Sequence, residues 1–141
     1  MTTPDESSDR VTHNLRLMKE GDDGFNRRDK AHFAAVHHHG MIAYVMGSLE
    51  SVAGRDALGA ALDGMLRAFP DMHVHNDPYD VQFGAGDWTT MIGKVTGTFS
   101  GEIVLPDGSV LPGTGKSFAV DLATTAAWVP QLIGFLVRVL G

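Results

Sequence analysis

Apolar positions along this chain recur at two different periods, and the change falls at Pro70. Upstream the period is helical. Val11, Leu15, Met18 and Phe25 lie three to four residues apart or a multiple of that, which predicts one face of a helix, with "EGDDG" at residues 20 to 24 loosening or ending it. "DKAHFAAVHH" predicts a second, short helix with Asp29 as its N-cap. In "GRDALGAALDGMLRAFP" the residues Leu58, Leu62, Met65 and Phe69 predict a third, which Pro70 ends. Between the second and third helices, "HHHGMIAYV" reads as a strand entered through His37, His38 and His39.

Downstream of Pro70 the period shortens to that of strands. Met72 and Val74 are even-numbered whereas Tyr79, Val81 and Phe83 are odd, so the alternation changes parity at Asn76-Asp77-Pro78 and predicts a bulge there. "DWTTMIGKVTGTFSG" is a long strand, "EIVLPDGSVLP" folds around a Pro-Asp-Gly turn, and "GKSFAVDLATTAAW" is a further strand. Helices followed by an antiparallel meander make an α+β layer architecture rather than alternating βαβ units. The first ten residues, "MTTPDESSDR", are too polar to bury area and read as a disordered leader, leaving residues 11–141 as a single domain.

Composition narrows the chemistry by exclusion. A net charge of −6 with 11 Lys and Arg residues spread along the chain offers no basic stripe, so no nucleic acid is expected as a partner. Zero cysteines remove disulfides and thiolate metal sites, and suit a cytoplasmic location. No apolar run approaches the roughly 18 residues that span a bilayer, so no membrane is expected either. Ser100 and Ser117 lack the strand–elbow–helix setting of a serine nucleophile, and no Gly-rich loop opens a helix after a strand to cradle phosphate.

The words "GFNRRDKAHF", "GRDAL", "AFPD", "GDW", "GTFSG" and "GTGKSF", in that order, resemble the SnoaL-like polyketide cyclase and ester cyclase branch of the nuclear-transport-factor-2-like superfamily. The resemblance runs from about residue 13 to about residue 128. It implies a cystatin-like cone, a curved antiparallel sheet wrapped around three N-terminal helices and enclosing an apolar pocket, often as a homodimer. It also implies a small apolar carbonyl compound as ligand, no cofactor, and either cofactor-free aldol cyclisation or isomerisation, or binding without catalysis. The tail departs from the family pattern: "VPQLIGFLVRVLG" has a proline two residues after Trp128 and no acidic residue. The final strand is therefore expected to be missing or altered, with residues 131 to 140 packing across a partner chain or over the open end of the sheet.

Asp121 is the candidate acid/base, the one charged group in an otherwise uncharged strand with small neighbours Ala119, Ala123 and Ala127. An apolar cone would raise its pKa by desolvation, and the resemblance implies one strand-borne Asp in that role without a metal. The plainer alternative is a carboxylate satisfied by Lys94. His38 resembles the histidine found before this strand in ester-cyclase-like sequences and is the second catalytic candidate, with Tyr44 as a polar pocket contact. Strand alternation would place His38 with Ile42 and Tyr44, and His37 with His39 on the opposite side. Such alternation gathers too few ligands for zinc, even with His73 and His75 nearby, so no metal site is expected. Trp88, Met91 and Trp128 complete the candidate substrate contacts, against the alternative of ordinary core or strand-end packing.

Overall fold

The computed structural model describes residues 4–46 and 50–140, with the side chains of residues 4, 5, 139 and 140 left aside. Helix α1, Pro4–Asn26, is longer than its apolar stripe predicts at both ends. It takes in residues 4–10 of the expected leader, where Arg10 pairs with Asp87 through Nε at 3.2 Å. It also runs unbroken through "EGDDG". Its glycines serve packing rather than termination: a Cβ on Gly24 would stand 2.9 Å from the His32 ring and 3.0 Å from the Phe33 amide, so only glycine lets α2 approach this closely. Helix α2, Lys30–Val36, starts where Asp29 predicts, the Asp29 side chain accepting from the His32 N–H.

Strand β1, His37–Val45, follows α2 directly, β2 is Val52–Ala53, and helix α3 is Arg55–Ala68. Along α3 the buried stripe runs through Leu58, Leu62 and Leu66, while Met65 stays exposed, a rotation away from its expected place in the core. The remaining strands are β3 His73–His75, β4 Val81–Ala85, β5 Trp88–Thr98, β6 Glu102–Val104, β7 Val110–Pro112, β8 Ser117–Trp128 and β9 Leu132–Leu140. Strands β3 and β4 both pair with β5, one on each side of Gly93, so residues 76–80 bulge out of a single edge where the parity changes. Strands β6 and β7 form the expected hairpin, with Gly108 at φ 85° in its turn.

The sheet order is β2-β1-β9-β8-β5-β3, with β4 also on β5. This corrects the expectation for the tail. Residues 132–140 form a nine-residue strand inside the sheet, antiparallel to β8 and parallel to β1. The sheet is consequently mixed rather than wholly antiparallel, and it is not closed. Val129 and Pro130 make the turn, the Val129 N–H donating to the Gln131 carbonyl. Proline cannot donate to a ladder, but a turn between two strands asks for no ladder bond.

Alternation sorts β5 and β8 cleanly. Met91 and Val95 on β5, with Ala126 and Trp128 on β8, face the helices, and Met41 and Ala43 of β1 join them in one core. Helix α1 lies over β3, β4 and β5, whereas α3 lies over β1. Asn26 ties α1 to the sheet edge by a two-bond clamp, Nδ2 donating to the Val74 carbonyl at 2.7 Å and Oδ1 accepting from the Val74 N–H at 2.8 Å.

Candidate binding site

Residues expected to share one pocket are divided by the sheet. Asp121 is directly opposite Lys94 in the β5–β8 register and ion-pairs with it at 2.6 Å on the outer face, both side chains half exposed. Ala119, Ala123 and Ala127 do share that side, but it is the side away from the helices. The desolvated setting foreseen for Asp121 is not there. Tyr44 and Trp88 are also on the outer face, 52% and 56% exposed. Met91 and Trp128 lie on the inner face and are 2% and 1% exposed, and the Trp128 indole N–H donates to Thr89 Oγ1 at 2.8 Å. Both are core residues, and of the two only Trp128 also borders a recess, the one beside Arg10 and Asn14.

Among the histidines, the buried one is His37 rather than His38. The β1–β9 register shifts between His37 and Ile42, and this irregularity leaves His39 exposed while His37 turns inward. His37 is 4% exposed, stacks on Phe33 at 4.2 Å between ring centroids, and donates from Nδ1 to the Phe33 carbonyl at 2.7 Å. Burial, the dominant cause, lowers its pKa and keeps the ring neutral. His38 is half-buried beside His39 and accepts from the Gly40 N–H through Nδ1 at 3.1 Å. It sits on the opposite side of the sheet order from Asp121, two strands away, with β9 between β1 and β8.

A pair that the sequence reading passed over lies beneath α1. Tyr79 is buried, and its hydroxyl donates to Asp22 Oδ2 at 2.5 Å. Desolvation is the largest influence on Asp22 and pushes its carboxyl up to about 6, against the lowering effect of the Tyr79 bond. Burial also raises Tyr79, with the Asp22 charge adding to it. Beside them Asn76 donates from Nδ2 to Asp23 Oδ1 at 2.8 Å, and Lys19 bridges to Asp23 at 3.2 Å. One signal for Asp22 was available: it stands four residues after Met18 and seven after Leu15, an acid inside the apolar stripe of α1.

Two recesses of ligand size are formed by the described residues. One, of about 360 Å³, runs between the α1–α2 corner and α3, with Phe25, Phe33, Leu62 and Leu66 as its apolar lining and charged residues around them. Lys30 of α2 and Asp63 of α3 close a salt bridge across it at 3.0 Å. Arg55 and Gly59 stand on the same face of α3 as Leu62 and Leu66, at i, i+4, i+7 and i+11. The other recess, of about 320 Å³, lies at the start of α1 between Arg10, Asn14, Asp87 and Trp128. Asp121, His38, Tyr44, Trp88 and Met91 line neither. Among the described residues, no group of three His, Cys, Asp or Glu is placed to hold a metal ion.

Comparison with known proteins agrees with this architecture. The family model described as SnoaL-like polyketide cyclase matches residues 15–129. No curated protein matches the chain. Among solved structures, a candidate SnoaL-like polyketide cyclase from Jannaschia sp. CCS1 superposes with a TM-score of 0.79 at 17% identity, over 99% of this chain and 90% of that one. The candidate hydroxylase AclR from Streptomyces galilaeus gives 0.74 at 18% identity, over 92% and 76%. A nuclear-transport-factor-2-like protein of unknown function from Burkholderia pseudomallei gives 0.71 at 13% identity, over 90% of each. At these identities the structures establish the fold, and the family model, which spans most of the chain, establishes membership: the chain belongs to the SnoaL-like polyketide cyclase family.

Proposed function

We propose that this protein is a non-enzymatic, cofactor-free binder of a small, largely apolar carbonyl compound, and that the ligand occupies the groove between the α1–α2 corner and α3. The observation that carries this reading is the separation of the groove from every expected catalytic group. Its four large apolar residues supply the body of a binding site of ordinary size, clefts for small ligands starting at roughly 300 Å³. Asp121 is neutralised by Lys94 on the other side of the sheet, and His38 does not converge with it. An acid/base role would instead fall to Asp22, whose raised pKa suits proton transfer, yet Asp22 lines neither recess and its carboxyl is taken up by Tyr79.

Gly59 provides the test, because a Cβ built there meets nothing within 4 Å. Gly59→Phe starts from that open position and directs a ring into the groove from the face of α3 that carries Leu62 and Leu66. Wild-type protein is expected to enhance the fluorescence of the neutral dye N-phenyl-1-naphthylamine saturably, and the variant to lose the enhancement at an unchanged melting temperature. Equal enhancement by both would place the ligand elsewhere.

The reading includes assembly as a homodimer in the cytoplasm, with the outer face of the sheet as the contact. Cross-strand neighbours there form continuous rows, Tyr44–Leu136–Thr125–Thr90–Phe83 and Ile42–Gly134–Ala127–Trp88–Ala85. Five strands about 4.8 Å apart and two rows about 7 Å apart project roughly 340 Å², the centre of a face that would have to extend to neighbouring residues to reach the ~800 Å² each partner brings to a standard interface. Light scattering should find a dimer for wild type and a monomer for Phe83→Lys. Among the described residues no helix is long and apolar enough to cross a membrane.

A further inference from the structure

Three cations line the groove proposed above, and their commitments differ. The Arg28 guanidinium is taken up by backbone carbonyls, donating to Phe25 at 2.9 Å, Pro70 at 2.8 Å and Met72 at 2.7 Å. The Lys30 ammonium is held by Asp63. Among the described residues Arg55 donates only through Nη1, at 3.4 Å to the Ala34 carbonyl and 3.3 Å to the His37 carbonyl, lengths at the weak end for N–H···O bonds. Its Nε and Nη2 edge has no protein acceptor among the described residues.

The acids divide in the same way. Asp63 is bound to Lys30, and Asp29 accepts from the His32 N–H as the cap of α2. Asp56 follows Arg55 on α3, about 100° further round the helix, toward the rim side of the face that carries Gly59, Leu62 and Leu66. Gly54, the N-cap of α3, makes no side-chain cap bond, so the first turn adds N–H groups and partial positive charge at the Arg55 end of the groove. The Arg55 end therefore has donors to spare, with Asp56 at its rim, and Phe25, Phe33, Leu62 and Leu66 form the apolar body of the groove.

We infer that the groove takes an amphipathic monocarboxylate, its apolar body lying on Phe25, Phe33, Leu62 and Leu66 and its carboxylate paired with the open Nε and Nη2 edge of Arg55. A guanidinium edge presents two parallel N–H donors at the spacing of the two carboxylate oxygens, a match that a neutral amide or ketone cannot reproduce. From Arg55 to Leu66 the helix rises about 16 Å, room for a short aryl-alkyl or medium-chain acid. This inference rests on the groove reading and names the ligand class of that same site.

The experiment compares 4-phenylbutyrate with its uncharged isostere 4-phenylbutyramide by isothermal titration. Wild type is expected to bind the acid at least about tenfold more tightly than the amide, in line with a charge-assisted bond, and the preference should shrink with added salt. Arg55→Gln should bring the ratio to about one while leaving amide binding in place, and Arg55→Lys should retain part of it. Because the ratio on wild type needs no variant, a folding defect in Arg55→Gln leaves the test decisive. Equal binding of acid and amide to wild type overturns the inference while the groove reading stands. Retention of the full preference in a folded Arg55→Gln overturns it too. Absence of binding by both compounds, together with dye binding that survives Gly59→Phe, overturns the inference and the groove reading alike.

Discussion

The two sides of the β5–β8 ribbon treat the same residue types in opposite ways. At one end of the ribbon, Trp88 projects from the outer face and is half exposed, while Trp128, next to Trp88's partner Ala127, is sealed in the core with its indole N–H satisfied by Thr89. The acids show the same division. Asp121 stays on the outer face, paired with Lys94 in water, whereas Asp22 is pressed by α1 against the inner side, where Tyr79 is its partner and desolvation raises its pKa. Burial, not residue type, separates the two aspartates: Asp121 shares solvent with its lysine, and Asp22 is desolvated against Tyr79.

The largest effect that sharpens this contrast is expected from the tryptophans. Trp128→Ala should destabilise the protein by about 3–5 kcal/mol in urea melts, because a large void is opened in a packed core. Trp88→Ala, measured where the protein is monomeric, should change stability by no more than about 0.5 kcal/mol. Comparable losses at both positions would erase the difference between the faces.

Asp22 is expected to come next. Its folded-state pKa of about 6 lies above the ordinary value of 3.8, so the folded chain holds this proton more tightly than the unfolded one. Stability contributed by Asp22 is therefore fully present below about pH 4 and is lost as pH rises through about 6. Asp22→Asn removes the ionisation but keeps an acceptor for Tyr79. It should stabilise the fold above pH 6 by up to about 3 kcal/mol, and the gain should vanish near pH 4. A gain independent of pH would contradict the buried setting of the carboxyl.

Tyr79→Phe deletes the hydroxyl and leaves Asp22 without its donor. The expected loss at pH 7 is about 1–3 kcal/mol, smaller at pH 4, where the neutral carboxyl has less need of a partner. The smallest effect belongs to the outer pair: Asp121→Asn should leave the thermal midpoint unchanged at moderate salt, since an exposed ion pair is screened. A large drop there would mean that Asp121 does more than balance Lys94.

Much of the architecture was legible because it is local. Asp29 announced α2, Pro70 marked the end of the helical half, and the parity change between Val74 and Tyr79 marked the bulge that β5 spans at Gly93. The tail was misread for an equally physical reason. Pro130 and the lack of an acid looked like the loss of a strand, but Leu132–Leu140 pairs on both sides, and a strand between two neighbours can be apolar throughout much of its length. Likewise "EGDDG" looked like a helix end until α2 was seen packed against Gly24.

The candidate site was less legible, since a pattern of period two separates the faces of a strand without saying which one meets the helices. Asp121, Ala119, Ala123 and Ala127 were correctly grouped on one side, and only the packing of α1 and α3 against the even-numbered residues of β8 made that side the outer one. The sequence by itself determined the helices, most strands, the bulge and the family, because capping, periodicity and turn chemistry act between residues close along the chain. Tertiary structure alone decided the facing of Asp121, the burial of His37, the meeting of Asp22 with Tyr79 and the groove at Arg55. Each of these depends on which distant segments exclude water from a side chain, and residue order does not encode that exclusion locally.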